Sequence, residues 1–223
     1  MERKRKVVGL LIMLAATVLA CTCNFLPGTE TSPTVPAAEP VNALFQDDFS
    51  DKGTGWEVGN YDGGSVGYKE DRYFVTSIAN GSTMWGVANR SFDNLIIAVD
   101  AIQIAAGPDD NNDYGIVCRE QGNGDGYYLL ISGDGFYSIM KSIDGQFIEL
   151  ASWTESAAIK TGNATNHLQA VCNGSSLKLS INGQEVATAE DSTYTSGDIA
   201  LTATTYEDQP TEIHFDNLVV SSP

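Results

Sequence analysis

The run from Asp113 to Lys141, DYGIVCREQGNGDGYYLLISGDGFYSIMK, constrains the fold more than any other part of the chain. Two breaks, Gly122-Asn123-Gly124-Asp125-Gly126 and Gly133-Asp134-Gly135, supply residues that tolerate positive φ, and β-branched or aromatic residues fill the segments between them. The pattern predicts three successive strands in an antiparallel meander. The same punctuation recurs along the chain, at Asp62-Gly63-Gly64, Asn80-Gly81, Asp144-Gly145, Asn173-Gly174, Asn182-Gly183 and Ser196-Gly197-Asp198. Between these breaks apolar and polar residues alternate. Leu177, Leu179 and Ile181, for example, are interleaved with Lys178, Ser180 and Asn182, which gives a strand with one dry face and one wet face. Asn182-Gly183 then predicts a two-residue hairpin into Gln184–Ala189. Short strands without a helical period predict an all-β, two-sheet antiparallel sandwich, and the lack of a fixed-period repeat argues against a parallel β-helix.

The ends of the chain read differently. Residues 1–20 hold a basic start (Arg3 to Lys6), an apolar core and a small-residue finish, the physical parts of a secretory signal segment. The apolar run is shorter than the roughly 20 residues that span a bilayer. Val18-Leu19-Ala20-Cys21 resembles a bacterial lipobox, which makes Cys21 the expected lipidation site and the membrane anchor. Residues 21–42 are rich in Pro, Thr, Ser and Ala, too poor in large apolar side chains to offset ordering entropy, and read as a flexible tether. The domain proper is expected over residues 43–223, exported and held at the outer face of a bacterial cell membrane.

The net charge of −17 includes Arg3, Lys4, Arg5 and Lys6, so the exported part is more acidic still. Such a surface repels phosphate and excludes nucleic acid as a partner. Cys118 alternates with Tyr114 and Ile116, and Cys172 with Leu168 and Ala170, so both thiols share the apolar face of their strands. In an exported protein this favours a disulfide between them over two separately buried thiols. The bridge closes a loop of roughly fifty residues, worth about 4 kcal/mol in the chain-entropy account.

Four blocks carry a family resemblance: DDFSD through Trp56, YGIVCR through GYYLLISGDGFYSIMK, NHLQAVCNGSSLKLSINGQEV and HFDNLVV. Together they resemble the concanavalin A-like lectin/glucanase jelly rolls, nearest to the laminin-G-like modules of bacterial lipoproteins and receptor-type kinases, with 3-keto-disaccharide hydrolase domains as more distant relatives. The resemblance implies two stacked curved sheets with the first and last strands side by side. It leaves activity open, since this fold carries lectins, hydrolases and spacer modules alike.

The glucanases of that superfamily carry E-x-D-x-x-E on one strand, which this chain lacks; it also lacks a GxSxG elbow, and His167 and His214 do not form a metal pair. An enzyme would need carboxylates assembled from separate strands, for which Asp100, Glu120 and Glu149 are the candidates. Binding of a glycan or cell-surface polymer is the preferred expectation, because sugars are held by aromatic faces flanked by amides, carboxylates and Arg. Trp85, Arg119, Tyr127 and Trp153 are the candidate ligand-binding residues. Arg119 has the parity opposite to Cys118 and is expected to project away from the disulfide, so that Arg119→Ala weakens binding and spares folding. Trp56 is read as core. No cofactor is required. A structural calcium between Asp48 and Asp216 is implied by related jelly rolls, and the Asp109–Asp113 loop is read as solvated.

Overall fold

A computed structural model describes residues 43–223. The expected signal segment, Cys21 and the tether lie outside the described residues. The elements in chain order are β1 (Ala43–Asp47), β2 (Gly59–Tyr61), β3 (Gly64–Lys69), β4 (Arg72–Ser77) and β5 (Ser82–Phe92). They continue with β6 (Leu95–Ala105), β7 (Asn112–Glu120), β8 (Gly126–Ile131), β9 (Phe136–Ile143) and β10 (Gln146–Glu155). The last five are β11 (Asn166–Asn173), β12 (Ser176–Ile181), β13 (Gln184–Glu190), β14 (Gly197–Thr205) and β15 (Thr211–Ser221).

These strands form two antiparallel sheets. One runs β13-β12-β11-β6-β15-β4-β3-β2, with β1 also paired to β15, and the other runs β10-β9-β8-β7-β14-β5. The meander expected over Asp113–Lys141 is β7-β8-β9, at the heart of the six-stranded sheet. The β12–β13 hairpin turns at Asn182 and Gly183, with φ of 51° and 85°, the double positive φ that a twisted two-residue hairpin needs. Asp47 of β1 lies opposite Leu218 of β15, so the terminal strands do sit side by side.

Alternation explains the core. Tyr114, Ile116 and Cys118 of β7 face Leu168, Ala170 and Cys172 of β11 across the gap between sheets, within one apolar cluster that also takes Phe49, Trp56 and Tyr73. Cys118 and Cys172 are bridged, with Cα atoms 6.8 Å apart, and the bond ties one sheet to the other.

At Arg119 the alternation fails, and the expected outward projection is corrected. Arg119 has φ of 58° and sits at a register shift against β14, where Cys118 pairs with Ile199 and Glu120 with Asp198. One extra residue is therefore inserted, and a bulge of this kind re-aims the side chain that occupies it. Arg119 is 1% exposed. Its Nε donates to Asp93 O at 3.0 Å, Nη1 to Gly174 O and Tyr194 O, each at 2.8 Å, and Nη2 to Asn94 Oδ1 at 3.2 Å. Tyr127 is also core: it is fully buried, its hydroxyl donates to Asp191 Oδ1 at 2.6 Å, and it accepts from Tyr194 N. The reading of Asp109–Asp113 as solvated is corrected at its end, because Asn112 and Asp113 open β7 and are buried.

Candidate functional site

The face of the six-stranded sheet turned away from the core carries its own apolar cluster. Val117, Tyr128, Leu130 and Ala200 are buried there, with Trp85, Val87, Met140 and Trp153 packed half-buried against them. One row of residues crosses this face in register. Trp85 pairs with Thr202, Thr202 with Gly115, Gly115 with Leu130, and Leu130 with Ser138. The row ends at the irregular stretch of β10 between Ala151 and Thr154, which holds Trp153. The two tryptophans thus stand at opposite edges of one face, five strand spacings apart, about 24 Å.

Each tryptophan lines a depression. The first, of about 620 Å³, combines Trp85 with Tyr61, Glu57, Glu120, Asn89 and Asp198. The second, of about 570 Å³, combines Trp153 with Phe136, Tyr206, Asn111, Ser132 and Asp134. Trp85 reaches its place because Gly124, at φ of 86°, has no side chain; a Cβ there would come within 2.8 Å of the indole. The loop holding Gly124 is itself fixed by Glu120, whose carboxylate accepts from Gly122 N at 2.8 Å and Gly124 N at 2.7 Å. Under the second depression lies Asp113, which accepts from the Tyr206 hydroxyl at 2.7 Å. Burial raises its carboxyl to about 6, although hydrogen bonds from Tyr206 and Thr204 oppose the rise.

Of the residues picked from sequence, the structure brings Trp85 and Trp153 to one face and takes Arg119 and Tyr127 into the interior. Tyr61, Phe136 and Tyr206 went unrecognised. For Tyr206 a signal existed, since Thr202 and Thr204 alternate on this face and a period-two reading extends to it.

The candidate carboxylates do not meet. Asp100 lies on the nine-stranded sheet, accepting from His167 Nδ1 at 2.7 Å and Asn217 Nδ2 at 3.0 Å; Glu120 holds its loop; Glu149 is exposed on β10. Nor do Asp48 and Asp216 share a site. Asp48 accepts from Ser50 Oγ at 2.7 Å, whereas Asp216 faces Arg72 at 3.7 Å, and the two line different depressions. Among the described residues no three His, Cys, Asp or Glu side chains converge to hold a metal ion.

Two facing antiparallel sheets with adjoining terminal strands define a concanavalin A-like jelly-roll sandwich. The solved structures it is similar to have the same architecture. A Bacillus subtilis protein of galectin-like fold is 14% identical with a TM-score of 0.59, covering 81% of this chain and 96% of its own. A Bacillus licheniformis β-glucanase is 13% identical with a TM-score of 0.58, over 80% and 97% of the two chains. The carbohydrate-binding module CBM66 of Bacillus subtilis is 16% identical with a TM-score of 0.53, over 76% and 96%. No protein-family model and no curated protein matches the sequence.

Proposed function

We propose that the chain is a non-catalytic carbohydrate-binding module that presents the outer face of its six-stranded sheet to glycan. In this reading Cys21 is lipidated, the tether spans residues 21–42, and the domain stands off the outer face of a bacterial membrane. The observation that carries the reading is the placement of Trp85 and Trp153 in one cross-sheet row, each half-exposed in its own depression. Flat aromatic faces beside amides, hydroxyls and carboxylates are what sugar rings need, their C–H faces stacking while their hydroxyls find polar partners. The β-glucanase and the carbohydrate-binding module show that this architecture serves carbohydrate in other proteins. The non-catalytic part of the reading is supported by Glu120, whose carboxylate is occupied by two backbone amides, and by the separation of Asp100, Glu120 and Glu149.

The test is an array of oligosaccharides scored for binding and for release of reducing ends. Binding without turnover is expected. Trp85→Ala and Trp153→Ala should each weaken binding about fivefold, or about 1 kcal/mol for a lost aromatic platform. Turnover that survives purification would defeat the non-catalytic reading, and full affinity in both tryptophan variants would defeat the choice of face.

A further inference from the structure

The depression beside Trp85 has a charge that its ligand must match. Its apolar wall comes from Trp85, Tyr61 and Met84, and three carboxylates, Glu57, Glu120 and Asp198, stand on its rim. Their hydrogen-bond donors are neutral. Glu57 accepts from the Tyr61 hydroxyl, Glu120 from Gly122 N and Gly124 N, and Asp198 from Arg90 N at 2.9 Å and Ile199 N at 2.7 Å. Among the described residues no lysine or arginine lines the depression. Arg90, which gives its backbone amide to Asp198, turns its guanidinium away, 4.2 Å over the Phe45 ring and 3.3 Å from Thr54 O. Burial, with Glu120 adding to it, pushes the Asp198 carboxyl up, as negative charge without a cation does.

Such a cavity discriminates by two forces of the same sign. An ammonium group gains from the carboxylates and from the faces of Trp85 and Tyr61, a carboxylate loses on both counts, and a neutral sugar is indifferent. Resting on the glycan-binding reading, we propose that the depression beside Trp85 selects sugars by charge, favouring amine-bearing hexosamine units over neutral ones and excluding uronates.

The experiment titrates the full-length chain with glucosamine oligomers, their N-acetylated counterparts and oligogalacturonate of equal length, at a pH where the amines are charged. At low ionic strength the free-amine oligomer should bind about tenfold more tightly than the acetylated one, and the uronate more weakly than either. Salt should shrink that ratio, because the Debye length falls to about 10 Å at 0.1 M. The double variant Glu57→Gln, Asp198→Asn should bring the amine-to-acetyl ratio toward one; if it fails to fold, the salt dependence of the unaltered chain decides. Equal affinity for amine and acetylated oligomers, or stronger binding of the uronate, overturns charge selection and leaves glycan binding standing. Failure of all three to bind also overturns charge selection, and the oligosaccharide array then decides glycan binding by itself.

Discussion

The guanidinium of Arg119, on β7 of the six-stranded sheet, lies 2.8 Å from the carbonyl oxygen of Gly174, in the β11–β12 turn of the other sheet. The same side chain also reaches Asp93, Asn94 and Tyr194, so three separate loops close on one cation. Arg119→Ala leaves the carbonyl oxygens of Asp93, Gly174 and Tyr194 without their charged donor, and hydrogen bonds from a charged donor are each worth about 1.5–3 kcal/mol. A loss of stability of 3 kcal/mol or more is expected, on the order of that for two such bonds. Urea denaturation checks it, and a variant with an unchanged midpoint would refute the clamp.

Cys118 and Cys172 join the sheets a short way from that clamp, closing a loop with a sequence separation of 54. Replacing both by alanine should cost about 4 kcal/mol through the freer unfolded chain. Reducing the wild-type protein should lower its thermal midpoint to that of the double variant. A reduced protein that melts at the oxidised temperature would show the bond to be incidental to stability.

Asp113 gives a pH dependence of the less usual sign. Its carboxyl is raised to about 6 by burial, so between about pH 4 and 6 the folded protein keeps a proton that the unfolded chain has released. The penalty is absent below the unfolded value, grows as pH rises through this window, and is complete above the folded value at roughly 3 kcal/mol. Asp113→Asn keeps an acceptor for Tyr206 and removes the titration. Its stability should exceed the wild type's at neutral pH, and the two should converge in acid, read from urea midpoints at several pH values.

Asp191 works in the opposite direction. Burial pushes its carboxyl up, but hydrogen bonds from Lys141, Tyr127 and Thr193 outweigh burial and hold it well below the usual carboxylate range. With Lys141 Nζ at 2.6 Å and the Tyr127 hydroxyl at 2.6 Å, it pins the loop between β13 and β14 to the six-stranded sheet. Its stabilisation is present above the unfolded carboxylate value and is lost as pH falls toward the folded one. Asp191→Asn is expected to be less stable than wild type at neutral pH, with the deficit narrowing in acid. A deficit that stays constant on acidification would count against the ion pair.

The meander over Asp113–Lys141, the Asn182-Gly183 hairpin and the shared dry face of Cys118 and Cys172 were legible in the sequence. Each depends on period-two alternation and on residues that accept positive φ, and both properties are local. The placement of Arg119 was not local. Parity assigned it outward, and a bulge set by the pairing of β7 with β14 turned it inward to carbonyls brought together from three loops. Tyr127 shares the core side of β8 with Leu129 and Ile131, yet its partner Asp191 lies on a distant loop that no sequence pattern connects to it. Trp85 and Trp153 could be nominated from their chemistry, but that they share one face follows only from the strand order β10-β9-β8-β7-β14-β5. Alternation determines which side of its own strand a residue takes; which strands adjoin, and where an inserted residue breaks the alternation, is decided by long-range pairing between segments remote in the chain.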